Sequence, residues 1–364
     1  MEEKTQKALE RFTEELQKIE KKENKLLFFV IDSKGNPSGT LEYIYKMALA
    51  AKKDGYSVTM LHQEKAEEFV GVGEWLGEEY SSLQHSDINK GEVSVSPSDI
   101  LFIPDIFSNV MEATKELPCK RIAIVQNTDF ITEIIPLGKQ WGDFGILEAI
   151  VNTKEQEKIL KDYFPYLKTT VLEPKIDPIF FNTEEPKKMV INVISQDQSD
   201  INKIVKPFYW KFPTYRWVSF RDIRGISKQD FSEALREAAI TIWCDEKTKF
   251  GYTAIEALAS GNILIGKLPN DLPSWMLNED GSVKNCGLWF KSFDSIHNMI
   301  AAVVRAWTTD QVPEEIKQIA QEVVGNYSKL TFETDAVNIF KQIINKRKSD
   351  MEELLVQLKS KEKE

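Results

Sequence analysis

A glycine-bearing turn followed by a short helical pattern, at residues 250–261, is the part of the chain best suited to chemistry. The residues that it offers for binding are Phe250, Gly251, Tyr252, Thr253 and Glu256. A helix N-terminus presents unpaired backbone N–H groups and a partial positive charge, so the backbone of Gly251 to Thr253 is suited to hold a phosphate group. Glu256, predicted in the first turn of this helix, carries a carboxylate that can accept hydrogen bonds from hydroxyl groups.

The same residues also satisfy a purely structural pattern. Thr253 and Glu256 have the Ser/Thr-x-x-Glu spacing of a capping box, in which the two side chains hydrogen-bond backbone N–H groups at the start of a helix. Capping alone would account for both residues, and a single glycine turn before a helix is a weak indicator of binding. The local pattern therefore leaves a structural and a functional interpretation open.

The elements on either side favour the functional interpretation. Ser227 is predicted to cap a helix, and the apolar run 239–244 that follows is typical of a buried parallel strand. Residues 245–249 then leave the carboxyl end of that strand, where ligands bind in open α/β sheets, and 262–265 supply the next strand.

The N-terminal half shows the same alternation of strands and helices. A helix is predicted at 40–54, between the first two strands. The predicted strands are 25–31, 56–61, 99–103, 121–125, 149–151 and 170–172, and a further strand at 189–194 opens the second half. Strands that alternate with helices indicate crossover connections and parallel sheets.

This order of elements and the stretch 250–261 together resemble the retaining, nucleotide-sugar-dependent glycosyltransferases of the GT-B fold. The signature of that family is a glutamate, a Gly-Phe-Gly-like turn and a second glutamate eight positions after the first. Phe250-Gly251 and Glu256 match it, whereas Thr248 stands at the position of the first glutamate. The resemblance implies that Glu256 binds the ribose and that the backbone of Gly251 to Thr253 binds the phosphates, with Asp245 or Glu246 as candidates to replace the missing carboxylate.

Other family positions are carried over residue by residue. The glycine-bearing loop after the first strand corresponds to Ser38-Gly39-Thr40, and 171–180 resembles the linker between the two domains. The family's phosphate-binding arginine is replaced by Gln196, and the nearest lysine is Lys203. The other basic candidates for an anionic ligand are Lys206, Arg221, Arg224, Lys249 and Lys267.

Related enzymes often carry a histidine after a strand of the first domain, near the transferred sugar. Asn127 and Asp129 occupy the matching stretch here and are candidates to hydrogen-bond a sugar hydroxyl, although they also fit an ordinary polar loop. The three histidines, His62, His85 and His297, are predicted to be scattered, because their spacing fits neither a metal site nor a catalytic triad.

Composition restricts the class of protein. A length of 364 residues favours two domains, and a net charge of −10 argues against duplex nucleic acid as a partner. The three cysteines have no paired spacing, so no zinc site is expected, and the resemblance implies no metal and no cofactor besides the nucleotide-sugar substrate. The charged N-terminus and the absence of a long apolar run predict a cytoplasmic protein without a transmembrane segment.

The two ends of the chain carry charged segments with apolar stripes. Leu9, Phe12, Leu16 and Ile19 repeat at helical spacing near the N-terminus. Towards the C-terminus a helix face at 336–344 is predicted to return to the first domain, and Met351, Leu354, Leu355 and Leu358 extend it. We expect these stripes to pair with each other, with a second copy of the chain or with a protein partner.

The sequence therefore predicts an α/β protein of two Rossmann-like domains that face a central cleft, as in the GT-B fold, with extra charged helices at both termini. The predicted segments are an N-terminal charged helix (1–24), an acceptor-side domain (25–182), a nucleotide-sugar domain (183–329) and C-terminal helices (330–364). The resemblance implies transfer of a sugar from a nucleotide-activated donor to a glycan, lipid-linked or protein acceptor. The alternative is a catalytically silent relative that acts as a binding or scaffold subunit.

Overall fold

A computed structural model describes residues 2–30, 39–63, 76–91, 93–183, 185–195 and 197–361, with only the backbone described at 2–9, 89, 358 and 361. The chain divides into two compact units. The first comprises 1–174 and 331–364, and the second comprises 175–330. The division between them thus falls within the predicted linker 171–180, a few residues before the predicted boundary at 182.

In the described residues the strands are β1 (Lys25–Phe29), β2 (Ser57–His62), β3 (Gln84–Asp87), β4 (Ile100–Pro104), β5 (Lys120–Val125), β6 (Glu148–Val151), β7 (Lys168–Val171), β8 (Lys188–Ile194), β9 (Ser219–Asp222), β10 (Ala238–Trp243), β11 (Ile263–Lys267) and β12 (Leu288–Phe290). The helices are α1 (Glu2–Glu20), α2 (Gly39–Lys53), α3 (Ser108–Ala113), α4 (Thr128–Ile134), α5 (Lys154–Tyr163), α6 (Gln198–Lys211), α7 (Lys228–Glu237), α8 (Tyr252–Ala259), α9 (Phe293–Thr308), α10 (Glu314–Tyr327) and α11 (Phe332–Lys361).

The first unit is built on a seven-stranded parallel sheet with the order β3-β2-β1-β4-β5-β6-β7. Its central strands β1 and β4 carry long buried apolar runs, as expected when helices cover both faces of a parallel sheet. The order reverses between β1 and β4, and in such sheets ligands bind beyond the carboxyl ends of the strands that flank the reversal.

One face of this sheet is covered by α2 and α11. Phe28 of β1 stacks on Phe102 of β4 with ring centroids 4.6 Å apart, and Phe340 of α11 packs edge-on against both rings. Ala336, at 0% exposure, lies on the same buried face of α11. The last helix therefore belongs to the core of the first unit.

The second unit is built on a five-stranded parallel sheet with the order β12-β11-β10-β8-β9. Counted within the unit, this is the order 2-1-3-4-5 of doubly wound folds, and the reversal lies between β8 and β10. The predicted cap of α7 is confirmed, because the side chain of Ser227 accepts a hydrogen bond from the N–H of Asp230 at 3.1 Å.

Helix α1 packs against α11 within the first unit. Ile19 is 6% exposed in the core of that unit, and Phe12 and Leu16 pack against the same core. The side chains of Leu9 and Leu358 lie outside the described residues. The interpretation of the N-terminal stripe as an exposed partner surface is therefore wrong for Phe12, Leu16 and Ile19, whereas pairing of the two ends is confirmed. No helix of the described chain is long and apolar enough to cross a bilayer.

Candidate functional site

The turn that precedes α8 lies at the carboxyl end of β10, beside the reversal of strand order in the second sheet. Gly251 is the N-cap of α8 and has a φ of 77°, a conformation that residues with a side chain rarely adopt. A Cβ atom at this position would lie 3.1 Å from Cζ2 of Trp243, which is fully buried. The glycine is thus required by the backbone and by the packing of Trp243.

Thr248 holds the turn in place. Its Oγ1 accepts the hydrogen bond that the N–H of Gly251 donates, at 2.8 Å. The residue at the position of the missing first glutamate therefore has a structural function, and the N–H of Gly251 already has a partner within the protein.

The predicted capping box is wrong. The N-cap is Gly251 rather than Thr253, and no side chain caps the helix. Glu256 consequently lies in the second turn of α8, not in the first, and its side chain is buried at 7% exposure. Capping therefore does not account for a glutamate at this position.

The aromatic residues of the turn pack into the core. Phe250 is 4% exposed, and its ring lies 4.6 Å from that of Tyr252 and 5.3 Å from that of Tyr327. The carbonyl of Phe250 accepts a hydrogen bond from Nε1 of Trp275 at 2.5 Å. The structure therefore places the Phe250 side chain beneath the turn as a support.

Two lysines meet beyond the carboxyl ends of β8, β10 and β11. The ammonium groups of Lys203 on α6 and Lys267 at the end of β11 lie 5.2 and 5.0 Å from the centroid of the same ring, Phe293. Lys203 pairs with Asp200 at 3.1 Å, and Lys267 pairs with Glu246 at 2.5 Å. Glu246, in the loop after β10, is thus the carboxylate partner of one of these two lysines, a few residues before the glycine turn.

Burial shifts the pKa values of an acidic group and of a thiol in the residues just before Glu246. Burial raises the pKa of Asp245, and this effect exceeds that of the hydrogen bonds from the backbone N–H groups of Lys247 and Thr248, which lower the pKa. Burial also raises the pKa of Cys244 to about 12, so its thiol stays protonated and unreactive at neutral pH.

Three of the other basic candidates of the second unit have structural partners. Arg221 binds Asn192 at 2.9 Å and Glu237 at 2.7 Å, so it ties β9 to its neighbours. Arg224 binds Asp222 on the same strand end, and Lys249 pairs with Asp271. Gln196 lies outside the described residues.

In the first unit, Asn127 caps α4. Its side chain accepts a hydrogen bond from the N–H of Asp129 at 3.0 Å, and its own N–H donates to Oδ2 of Asp105 at 2.8 Å. Gly39 is the first residue of α2, and the side chain of Gln126 donates to the carbonyl of Thr40 at 2.8 Å. The ends of β4 and β5 and the start of α2 therefore meet at the reversal point of the first sheet.

Asp105 is a residue that the sequence analysis missed. It follows β4, is 3% exposed, and accepts hydrogen bonds from the backbone N–H groups of Gln126 and Asn127. Burial raises its pKa to about 6, and these hydrogen bonds act in the opposite direction. An acidic residue two positions after the predicted apolar strand 99–103 was the signal that could have revealed it.

The prediction that the histidines are scattered is wrong for two of the three. Nε2 of His62 lies 2.8 Å from Nδ1 of His85, and the rings stack 5.1 Å apart. His62 is fully buried, and burial together with His62 lowers the pKa of His85 to about 4. His297 contacts the carbonyl of Lys203 at 2.9 Å. No group of three or more His, Cys, Asp or Glu in the described part of the chain is arranged to hold a metal ion.

Comparison with known proteins was made in three ways. No protein-family model matches the chain. An α-1,6-glucosyltransferase from Actinobacillus pleuropneumoniae serotype 7 (strain AP76) is 24% identical over 179 residues, which are 48% of this chain and 54% of that protein. The chain therefore spans about half the length of the curated relative that it matches.

Solved structures resemble the chain over most of its length. Sucrose-phosphate synthase from Thermosynechococcus elongatus is 11% identical, with a TM-score of 0.56 over 88% of this chain and 98% of that chain. A glycosyltransferase from Rickettsia africae is 16% identical, with a TM-score of 0.57 over 89% and 98% of the two chains. A mutant of S. aureus TarM in complex with fondaparinux, alpha-GlcNAc-glycerol and UDP is 7% identical, with a TM-score of 0.60 over 88% and 100%. The chain has the fold of GT-B glycosyltransferases, two α/β units that each contain a parallel sheet, and this part of the prediction is confirmed.

Proposed function

We propose that the protein is a glycosyltransferase that moves a sugar from a nucleotide-activated donor to a glycan, lipid-linked or protein acceptor. The observation that carries the proposal is the buried Glu256 in α8, directly after the glycine turn at the carboxyl end of β10. The fold shared with solved glycosyltransferases and the partial similarity to a glucosyltransferase support it.

The donor nucleotide would bind to the second unit. Glu256 would accept hydrogen bonds from the ribose hydroxyls, and the start of α8 would attract the phosphates with its partial positive charge. Because the N–H of Gly251 is already bound to Thr248, the phosphate contacts fall to the N–H groups of the first helical turn.

Lys203 and Lys267 would neutralise the diphosphate. Each already has a carboxylate partner, Asp200 or Glu246, so a bound diphosphate exchanges one anionic partner for another and leaves neither lysine uncompensated. With a helix N-terminus and two ammonium groups in place, we expect transfer to proceed without a bound metal ion and to continue in the presence of a chelator.

Thermal-shift measurements with a panel of nucleotide-sugars test the donor site. A matching donor at about 100 times its dissociation constant raises the free energy of unfolding by about 2.7 kcal/mol. Glu256→Gln should weaken that donor by about tenfold to a hundredfold, because a hydrogen bond to a charged group contributes about 1.5–3 kcal/mol.

The matched control is Glu148→Gln in the first unit. Oε1 of Glu148 forms ion pairs with Nζ of Lys120 at 3.0 Å and with Nζ of Lys346 at 3.2 Å. This variant should therefore lose stability but keep the donor affinity. Equal donor affinity in Glu256→Gln and the unmodified protein would contradict the ribose function. A panel in which no nucleotide-sugar stabilises the protein would contradict the proposal as a whole.

The second candidate is a catalytically silent binding subunit. It is motivated by Thr248, which fills the position of the first glutamate and is used to hold the turn. Donor turnover separates the two candidates, because an enzyme releases the nucleoside diphosphate in the presence of an acceptor, whereas a silent relative binds the donor without consuming it.

A further inference from the structure

Lys187, directly before β8, is a partly buried lysine without a carboxylate partner. Its ammonium group forms no ion pair with any residue that the structure describes, whereas the neighbouring Lys188 pairs with Glu237. Burial lowers the pKa of Lys187 to about 8. An ammonium group that is taken out of water costs free energy unless its hydrogen bonds are made, so the contacts of Lys187 show what it is used for.

The two partners of Lys187 are backbone carbonyls at the ends of two helices. Its Nζ donates to the carbonyl of Arg236 in the last turn of α7 at 3.0 Å, and to the carbonyl of Ser260, the C-cap of α8, at 2.6 Å. The last carbonyls of a helix have no partner within it and carry a partial negative charge, which a lysine can satisfy. Lys187 therefore joins the end of α7 to the end of α8.

The end of α7 is itself fixed to the sheet. The carbonyl of Ala234 accepts a hydrogen bond from the side chain of Asn192 at 2.9 Å, and the carbonyl of Ala238, the C-cap of α7, accepts one from Asn262 at 2.8 Å. Asn192 is fully buried on β8, and Asn262 directly precedes β11. Lys187 thus ties α8 to a point that two strands of the sheet hold in place.

Helix α8 is short, so its two ends determine where Glu256 lies. The helix has eight residues, and its N-terminal turn is held separately by the hydrogen bond from the N–H of Gly251 to Thr248. At the other end, the N–H of Ser260 donates to the carbonyl of Glu256 at 3.0 Å. The carbonyl that Lys187 binds therefore lies one helical turn beyond Glu256.

We infer that Lys187 is a positioning residue for the donor site, because it holds the end of α8 and thereby sets the place of the Glu256 carboxylate. A binding side chain needs such support from the residues around it if its geometry is to be kept. The inference rests on the proposed function, in which Glu256 binds the ribose. Lys187 lies at the opposite end of α8 from the glycine turn, so it acts through the helix.

Donor affinity in Lys187→Met tests the inference. Methionine has a similar length but donates no hydrogen bond, so the end of α8 loses its tie to α7. For a nucleotide-sugar that stabilises the unmodified protein, titration should give an affinity lower by about tenfold, because a misplaced carboxylate keeps only part of its hydrogen bonding. Lys187→Arg keeps donors for both carbonyls and should retain the affinity within about threefold.

A double-mutant cycle with Glu256→Gln separates positioning from a general effect on the fold. If Lys187 acts through the Glu256 carboxylate, Lys187→Met adds no further loss once that carboxylate has been removed. The double variant should therefore bind the donor as Glu256→Gln does, within about twofold. Lys187→Gln, which is shorter and uncharged, goes through the same cycle and replaces Lys187→Met if that variant does not fold.

The matched control is Lys188→Met. The two lysines are adjacent in the chain, but the side chain of Lys188 is 69% exposed and pairs with Glu237 instead of with a helix end. This variant should bind the donor as the unmodified protein does, and its combination with Glu256→Gln should bind as Glu256→Gln does.

Two results would overturn the inference and leave the proposed function in place. In the first, Lys187→Met and Lys187→Gln bind the donor as tightly as the unmodified protein. In the second, the losses caused by Lys187→Met and Glu256→Gln multiply in the double variant, so that the two residues act independently. A panel in which no nucleotide-sugar binds the unmodified protein is a different outcome, since it contradicts the proposed function and the inference with it.

Discussion

Asp105 shows how a single buried carboxyl can be hidden in an ordinary sequence. In the printed sequence it is one acidic residue after an apolar run, yet in the structure it receives the N–H groups of Gln126 and Asn127 at 2.8 Å each. It thereby joins the ends of β4 and β5, which lie beside the start of α2. A strand order that reverses between β1 and β4 makes this the position at which the first sheet can bind a ligand.

The pKa of Asp105 gives a prediction about stability and pH. Its folded value of about 6 exceeds the ordinary value of 3.8, so between these values the folded protein keeps a proton that the unfolded chain has lost. The stabilising effect is complete below about pH 4 and is lost as the pH rises through 6. As the pH rises from about 4 to above 6, the unfolding free energy of the unmodified protein should fall by up to about 3 kcal/mol because of this titration. Asp105→Asn cannot titrate, so it should not show this fall.

Denaturant unfolding between pH 4 and 7 measures this difference. Asp162→Asn, at an exposed position on α5, is the matched control for the same change of side chain. The same pH dependence in Asp105→Asn and the unmodified protein would show that Asp105 does not titrate in this window.

At the scale of the element, the turn before α8 allows backbone strain to be separated from packing. Gly251 and Gly225 both have positive φ, 77° and 64°, but a Cβ atom would meet Trp243 only at Gly251 and nothing within 4 Å at Gly225. Gly225→Ala should cost about 1–2 kcal/mol, the penalty of the left-handed conformation. Gly251→Ala should cost about 1–3 kcal/mol more, because Trp243 must shift.

Chemical denaturation of the two glycine variants measures these losses of stability, and nucleotide titration measures their donor affinity. Donor affinity should fall in Gly251→Ala and stay constant in Gly225→Ala, because only the first lies in the donor turn. Equal losses of stability would mean that Trp243 does not restrict the turn.

The strands that the sequence predicted are those with continuous apolar runs, such as β1, β4 and β10. The strands missed are β3, β9 and β12, and each lies at an edge of its sheet. Two of them, β3 and β9, read Gln-His-Ser-Asp and Ser-Phe-Arg-Asp, and the third has only three residues. An edge strand is paired on one side only and is less buried, so its sequence need not carry the apolar run that marks a central strand.

The candidate site was predictable to the extent that it is local in sequence. The turn, α8 and Glu256 lie within a few residues, so their pattern indicated a site, but the exact helix start did not follow from it. The contact of His62 with His85 joins residues on neighbouring strands, and the meeting of Lys203 and Lys267 over Phe293 joins three separate elements. Spacing along the chain carries no information about such contacts.

At the scale of the whole molecule, both ends of the chain enter one unit. Helix α1 and the residues directly after it are tied there by polar contacts, as well as by the apolar face of the helix. Oε2 of Glu15 accepts a hydrogen bond from the hydroxyl of Ser98 at 2.5 Å, and Lys22 pairs with Asp54 at 2.9 Å. Self-association through Leu354, which is exposed on α11, stays a prediction.

The packing of α1 gives the last prediction. Ile19 is 6% exposed in the core of the first unit, so Ile19→Ala should destabilise the protein by about 2–5 kcal/mol through the cavity that it leaves. Val356→Ala, at a position 64% exposed, is the control and should change stability by about 0.5 kcal/mol or less. Denaturant unfolding measures both values, and light scattering should give the same mass for both variants. If α1 instead served to join two copies of the chain, Ile19→Ala would lower the mass in light scattering and leave the stability of the separated chain unchanged.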